Sequence, residues 1–230
     1  MITYTQRSTA SSIEMLPNLP AIGSVIWLHG LGADGHDFVS MVPRLNLPLQ
    51  LPLRFIFPHA PLRAVTLNNG YVMRAWFDIY SMQFDQRIDV TGITGSVKLV
   101  EQLIENEQRK NIATENIIIG GFSQGSVIAL MTGLSYPQKL RGIIALSGYL
   151  PNAAQVLSDK SQANQTIPVF IAHGTEDTIV PFILGEKTAT ALKERGIPVS
   201  WHSYTMPHSI CTQEFGDIAS WLESIYISNK

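Results

Sequence analysis

The chain has 230 residues, a net charge of −2 and only 15% charged residues, while 45% of its residues are hydrophobic. This composition suits one domain with a sizeable core, and it argues against nucleic acid or an anionic membrane as an electrostatic partner. Because residues 1–20 lack a signal-peptide pattern, no apolar run is long enough to span a bilayer, and the one cysteine excludes a disulfide framework, we expect a cytoplasmic protein without integral membrane association.

Short apolar runs alternate with helical patterns, which predicts an α/β fold with a mainly parallel central sheet and helices on both faces. Residues 1–20 are interpreted as an N-terminal extension or an edge strand of a single domain, 1–230. The predicted strands are 25–29, 54–57, 117–121, 142–146, 169–173 and 200–204. The predicted helices are 95–109, 188–195 and 215–225. Residues 60–94 are predicted to be irregular, and residues 152–166 to be a surface excursion.

A G-x-S-x-G pentapeptide with Ser123 at its centre lies between a predicted strand and a helical pattern at 126–131. This context is typical of a nucleophile elbow, in which the serine sits on a strained turn. Gly121 and Gly125 would let the strand and the helix approach closely, because neither has a Cβ atom. The pentapeptide alone also occurs by chance, so the prediction needs the other parts of a catalytic site.

The predicted general base for Ser123 is His208. A serine hydroxyl needs a base, and in this arrangement the chain order is serine, acid, histidine. His202 and His208 are the histidines far enough downstream. His202 lies inside a predicted strand, whereas His208 follows that strand in a loop that can reach the serine.

Asp177 is the predicted acid, because it comes directly after the strand 169–173 and so lies at the carboxyl edge of the sheet. Glu176 is the alternative. The glycine-rich turn after strand 25–29 predicts an oxyanion hole formed by the backbone amides of Leu31 and Gln124. His29 is expected to brace this turn. No metal is predicted, because His36 and His59 have no partners at metal-ligand spacing.

Short motifs recur from one end of the chain to the other: LHGLGADG at 28–35, PHAP at 58–61, VTLNNG at 65–70, MRAWFD at 73–78, GFSQG at 121–125, ALSGYLP at 145–151, HGTED at 173–177 with VP at 180–181, and MPHS at 206–209. In this order they resemble the acyl-protein thioesterases of the carboxylesterase/lysophospholipase type, a compact branch of the α/β-hydrolases. The resemblance extends from about residue 25 to residue 222.

The resemblance implies a single α/β-hydrolase domain with no large cap domain, acyl esters or thioesters as substrates, and no cofactor. It assigns Ser123, Asp177 and His208 as the catalytic residues, and it supports Leu31 and Gln124 as oxyanion donors. Two positions depart from the family, which usually has glycine there. Ser126 is small enough for the start of a helix, and Pro207 stiffens the approach to His208 by fixing its own φ.

The predicted reaction is acyl transfer through an acyl-enzyme, on short-to-medium acyl esters, lysophospholipids or acyl-protein thioesters. Leu31, Met73, Trp76, Ile179 and Val180 are predicted to line an apolar groove for the acyl chain. For Trp76, a place in the core is an equal alternative.

Three further interpretations remain open at this stage. The segment 78–89 is interpreted as a flap over the site. A homodimer is one state that the resemblance allows, although no residue marks an interface. The alternative function is a catalytically inactive ligand-binding protein on a hydrolase scaffold, since a fold does not dictate a function. A lipase or a peptidase is a rival among enzymes.

Overall fold

The structure, a computed structural model, describes residues 1–81 and 87–227. Its strands are β1 (Tyr4–Ser8), β2 (Ser12–Pro17), β3 (Gly23–Leu28), β4 (Leu53–Pro58), β5 (Leu62–Val65), β6 (Tyr71–Arg74), β7 (Ile117–Phe122), β8 (Gly142–Leu146), β9 (Val169–Gly174) and β10 (Val199–Tyr204). Eight of them form one sheet in the order β1-β2-β4-β3-β7-β8-β9-β10, whereas β5 and β6 form a separate antiparallel hairpin. In the large sheet, β3, β4 and β7 to β10 are parallel, and β1 and β2 are antiparallel to their neighbours.

Helices cover both faces of this sheet, and each face has its own hydrophobic core. The helices are α1 (Met41–Leu45), α2 (Val90–Arg109), α3 (Gln124–Ser135), α4 (Ala153–Ser158), α5 (Phe182–Glu194) and α6 (Thr212–Ile227). Helices α2 to α5 pack side by side on one face, and α1 packs with α6 on the other. Of the helices in the described part of the chain, none has the length and apolar character to cross a membrane.

The predicted α/β class, with a mainly parallel sheet between two helical layers, is confirmed. All six predicted strands are present, with ends that differ by two residues or fewer. The predicted helices begin later than the real ones. Helix α2 begins at Val90 because Asp89 caps it by accepting a hydrogen bond from the Gly92 amide, and α5 begins at Phe182, directly after Pro181.

The prediction of irregular structure was wrong for part of 60–94, which contains the β5–β6 hairpin, and the predicted surface excursion at 152–166 contains α4. Both elements are short, so their periodicity is weak in the sequence. Residues 1–20 contribute β1 and β2. In β2, Ile13 and Met15 alternate with more polar residues and enter the core, whereas β1 is largely exposed at the edge of the sheet.

Glu214, in the first turn of α6, is a buried acid with no ion-pair partner within the described residues. Its side chain is fully buried, and neither carboxyl oxygen has a well-formed hydrogen bond there. Burial raises the pKa of Glu214 from its ordinary 4.5 to about 8. The folded chain therefore keeps a proton that the unfolded chain releases near pH 4.5, and the free energy of unfolding falls as the pH rises towards 8.

We expect Glu214→Gln to remove this dependence. The free energy of unfolding of the parent chain should decrease, relative to that of the variant, by about 1.4 kcal/mol for each pH unit between about pH 5 and pH 8. Urea unfolding at a series of pH values measures the difference. Glu223→Gln, which changes an exposed acid on the same helix, is the control and should leave the slope unchanged. Parallel slopes for the parent and Glu214→Gln would contradict the prediction.

Candidate active site

Ser123 occupies the turn between β7 and α3, with φ 54° and ψ −119°, a conformation that residues other than glycine seldom adopt. A Cβ atom on Gly121 would collide with the Gly125 backbone, and one on Gly125 would collide with the Leu28 carbonyl oxygen. The two glycines therefore allow α3 to start directly above β7 and β3. The Ser123 amide donates to the Leu146 carbonyl oxygen at 2.8 Å, which fixes the turn to β8.

Ser123, His208 and Asp177 form a continuous chain of hydrogen bonds at the carboxyl edge of the sheet. The Ser123 Oγ atom lies 2.9 Å from His208 Nε2, and His208 Nδ1 lies 2.7 Å from Asp177 Oδ2. The carboxylate is fully buried, whereas 16% of the His208 side chain is exposed. Because a carboxylate only accepts hydrogen bonds, His208 carries its proton on Nδ1, and Nε2 is free to accept the proton of the serine.

Neither of the alternatives considered from the sequence, Glu176 and His202, takes part in this series of hydrogen bonds. Glu176 is exposed. His202 remains within β10, where it stacks on Phe170 and shares a hydrogen bond with Ser200 Oγ. The structure thus brings Asp177 and His208 to Ser123, and it leaves Glu176 and His202 outside the site.

The loop that carries His208 crosses the end of β9 at close range. A Cβ atom on Gly174 would collide with the Met206 carbonyl oxygen and would lie 2.6 Å from that of Pro207. The Glu176 amide donates to the Met206 carbonyl oxygen at 3.1 Å. Backbone contacts with the strand that precedes Asp177 therefore hold the loop, and the glycine at 174 makes the close approach feasible.

His29 fixes the orientation of a peptide bond beside Ser123. The Ala60 amide donates to His29 Nε2 at 3.0 Å, so the ring proton must be on Nδ1, which donates to the Gly30 carbonyl oxygen at 2.7 Å. Burial lowers the pKa of His29 to about 4, which keeps the ring neutral at neutral pH. In a trans peptide the C=O and N–H groups point in opposite directions, so this bond also sets the direction of the Leu31 N–H.

The backbone amides of Leu31 and Gln124 are the candidate oxyanion donors. Neither amide donates to a protein group within residues 1–81 and 87–227. The Gln124 amide lies at the start of α3, where backbone N–H groups lack helical partners. The two residues border the same cavity as Ser123. Two free N–H groups beside a serine can stabilise a developing oxyanion.

A small apolar cavity of about 80 Å³ adjoins Ser123 and Gln124. Three of the residues predicted for the acyl groove, Leu31, Ile179 and Val180, line it. The lining side chains that were not predicted are Leu67, Phe77, Ile79, Val127 and Tyr149. Leu67 and Phe77 belong to the motifs at 65–70 and 73–78, which could have indicated them, whereas no sequence signal separates Val127 from the core face of α3.

Trp76 and Met73 are not part of the cavity lining, and for Trp76 the interpretation as a groove residue is corrected. Trp76 is fully buried, its Nε1 donates to the His29 carbonyl oxygen at 2.8 Å, and its amide donates to Gln124 Oε1 at 2.7 Å. It is a core residue whose hydrogen bonds hold the His29 carbonyl group and the Gln124 side chain. Met73 is half-buried and accepts a hydrogen bond from Asn68 Nδ2 at 3.4 Å.

The size of a cavity does not identify the site. A larger and more polar cavity of about 410 Å³ lies at the opposite edge of the sheet, beside Arg141 and Pro168, where β8 and β9 begin. It contains none of the residues around Ser123. In the part of the chain that the structure describes, no group of three histidine, cysteine or acidic residues is arranged to hold a metal.

The flap predicted for 78–89 lies in part, at residues 82–86, outside the described residues. At the two ends of the segment, the Asp78 amide donates to Asp89 Oδ2 at 2.8 Å. The Asp78 carboxylate accepts hydrogen bonds from the amide and the hydroxyl of Thr66. These contacts join the segment to the start of α2 and to the connection between β5 and β6.

Comparisons with known proteins show which proteins this chain is similar to. A family model described as Phospholipase/Carboxylesterase matches residues 11–226. Acyl-protein thioesterase 1 of Yarrowia lipolytica is 38% identical over 207 residues, which are 87% of this chain and 90% of that protein. Acyl-protein thioesterase 1 of Schizosaccharomyces pombe is 39% identical over 182 residues, 79% of this chain and 80% of that protein.

Solved structures are similar over most of their length. Arabidopsis thaliana SOBER1 has a TM-score of 0.83 at 33% identity, over 88% of this chain and 98% of that chain. Zea mays acyl-protein thioesterase 2 has a TM-score of 0.81 at 28% identity, over 93% of this chain and 98% of that chain. The similarity therefore includes the fold as well as the sequence.

We expect His29→Leu to impair the site through the oxyanion donor. Without the Nδ1–H donor, the Gly30 peptide is free to rotate and the Leu31 N–H is no longer held in place. The expected loss in kcat for an activated ester is about a hundredfold, with little change in KM. His29→Asn, whose amide nitrogen can take the place of Nδ1, should recover much of the loss. Thermal melting establishes that both proteins are folded. Equal kcat values for His29→Leu and the parent would then contradict this role.

Proposed function

Because this chain belongs to the phospholipase/carboxylesterase family and is a hydrolase, we propose that it cleaves carboxylic esters and thioesters with Ser123, His208 and Asp177 through an acyl-enzyme. The observation that carries the proposal is the hydrogen-bonded chain from Ser123 Oγ through His208 to the buried Asp177 carboxylate. A serine alone is a weak nucleophile, and a histidine oriented by an acid is the usual means of activating it.

In the first half of the reaction, Ser123 Oγ attacks the acyl carbonyl carbon while His208 Nε2 takes the hydroxyl proton. Asp177 stabilises the imidazolium that forms. The carbonyl oxygen becomes an oxyanion, which the Leu31 and Gln124 amides stabilise. When the tetrahedral intermediate collapses, the proton passes from His208 to the departing thiol or alcohol. The acyl group remains on Ser123.

In the second half, water replaces the leaving group. His208 takes a proton from the water as the oxygen attacks the acyl-enzyme, and the same two amides stabilise the second oxyanion. Collapse of this intermediate returns the proton to Ser123 Oγ and releases the carboxylic acid. Every proton in the cycle moves through His208 Nε2, and Asp177 stays ionised throughout.

The proposed acyl site is the apolar cavity beside Ser123. Its small volume and its aliphatic and aromatic lining favour short-to-medium acyl chains. The two relatives described above carry the name acyl-protein thioesterase 1, so thioesters on acylated proteins are the substrate class that we propose first. Small acyl esters and lysophospholipids are the other candidates. A homodimer and a cytoplasmic location remain predictions.

The proposal is tested by hydrolysis of p-nitrophenyl esters of increasing acyl length, with the parent chain and Ser123→Ala. We expect Ser123→Ala to lower kcat by about a millionfold, to background, because the nucleophile is lost. Cys211→Ser, which removes the one thiol of the chain, three residues after His208, is the matched control and should stay active. Turnover that persists in Ser123→Ala would overturn the assignment of the nucleophile. A folded parent that binds esters but never hydrolyses them would favour the inactive binding protein instead.

The acyl site is tested by enlarging the cavity. Ile79 is half-buried and lines it, so Ile79→Ala should move the acyl length with the highest kcat/KM to longer chains. The loss of contact should lower kcat/KM for short chains by about tenfold. The matched control is Leu62→Ala, which removes a similar side chain that is 66% exposed on the hairpin and does not line the cavity. An unchanged length profile in Ile79→Ala would place the acyl chain elsewhere.

A further inference from the structure

His173, at the end of β9, is a fully buried histidine that the proposed reaction does not use. Its Nε2 atom lies 2.9 Å from the Val180 carbonyl oxygen and 3.2 Å from Asp177 Oδ2. Both neighbours only accept hydrogen bonds, so Nε2 must carry a proton. Its Nδ1 atom has no hydrogen-bond partner among the described residues. Burial lowers the pKa of His173, in keeping with a neutral ring that has its proton on Nε2.

The loop after β9, residues 177–181, is held by the side chains of both Asp177 and His173. The Ile179 and Val180 amides each donate to Asp177 Oδ1 at 2.9 Å. The Val180 carbonyl oxygen, on the next peptide, accepts from His173. Asp177 and His173 therefore fix consecutive peptides of one loop. These peptides supply the donors that orient the carboxylate, so the position of Asp177 depends on whether the Val180 carbonyl group stays in place.

The imidazole ring of His173 packs against α5 at a glycine. A Cβ atom on Gly185 would collide with His173 Nδ1. The ring also makes an edge-to-face contact with Phe182, with centroids 5.9 Å apart. Because a glycine inside a helix costs stability relative to alanine, its presence at this contact has a structural reason.

We propose that His173 is a positioning residue for the catalytic acid: its Nε2–H group holds the Val180 peptide, and thereby keeps the Asp177 carboxylate directed at His208. This inference rests on the proposed function, since it concerns the acid of that reaction. It assigns a role to a side chain that touches neither the serine nor the cavity beside it.

The test compares His173→Leu with His173→Gln in the hydrolysis of p-nitrophenyl butyrate. Leu fills the space but has no donor, whereas the Gln amide nitrogen can occupy the place of Nε2 and donate to Val180. Misorientation of a catalytic group by about 1 Å costs up to about a hundredfold, so we expect kcat of His173→Leu to fall about tenfold to a hundredfold. Its KM should stay within about twofold of the parent value, because the contacts that bind the substrate before the reaction are little affected. His173→Gln should keep kcat within about threefold of the parent.

A second variant keeps the test valid if His173→Leu does not fold. Gly185→Ala leaves the histidine in the chain but places a methyl group against its ring, so kcat should fall in the same way, by about tenfold. The matched control is Gly95→Ala, at an exposed glycine of α2 where a Cβ atom meets nothing within 4 Å. This control should match the parent. Thermal melting establishes that each compared protein is folded.

The outcomes separate this inference from the proposed function. Low kcat in Gly185→Ala and in folded His173→Leu, with recovery in His173→Gln and with parental KM, supports the positioning role. Parental kcat in folded His173→Leu or in Gly185→Ala overturns it while leaving the esterase intact. Equal loss in His173→Leu and His173→Gln also overturns it, because the donor would then have no special part. A parent without turnover would overturn both this inference and the proposed function.

Discussion

The sharp turn at Ser123 is the constraint on which the rest of the site depends. A residue with a side chain at φ 54° and ψ −119° is strained, and the strain persists only where neighbouring structure holds it. Here the turn is held by β8, which accepts a hydrogen bond from the Ser123 amide, and by the close backbone contacts at Gly121 and Gly125. The turn exposes the hydroxyl at the edge of the sheet, and the same turn starts α3 and so leaves the Gln124 amide free. The positions of the proposed nucleophile and of one proposed oxyanion donor are thus consequences of a single backbone conformation.

Three histidines around this turn differ in function because their partners differ. His29 accepts from a backbone amide and is therefore a donor on Nδ1, whereas His173 faces two acceptors and is a donor on Nε2. Burial lowers the pKa of both, which suits rings that hold fixed hydrogen bonds rather than exchange protons. His208 is more open, and it lies between a hydroxyl that can lose a proton and a carboxylate that stabilises the resulting charge. Histidine thus braces two backbone segments, and at a third position it is placed for the proposed proton transfer.

The six parallel strands and the candidate catalytic residues could be predicted from the sequence, because both depend on local patterns. A parallel strand with its turn has a characteristic apolar run, and residues directly after such strands must meet at one edge of the sheet. The lining of the cavity could not be predicted in the same way. Trp76 and Phe77 are neighbours in one motif, but Trp76 enters the core and Phe77 borders the cavity, and only tertiary contacts decide between the two. The hairpin and α4 are too short for periodicity to distinguish them from loops.

The cavity is built from segments that are coupled to the acid to different degrees. Ile179 and Val180 donate the backbone bonds that orient Asp177, so a change in their conformation also moves the acid. Leu67 and Ile79 are instead joined to each other, through a bond of 2.8 Å from the Leu67 amide to the Ile79 carbonyl oxygen. Their side chains border the cavity without contributing to the hydrogen bonds of the acid or the base. Under the proposed function, a change of the lining at Leu67 and Ile79 would therefore alter acyl selectivity and preserve the hydrogen bonds among Ser123, His208 and Asp177.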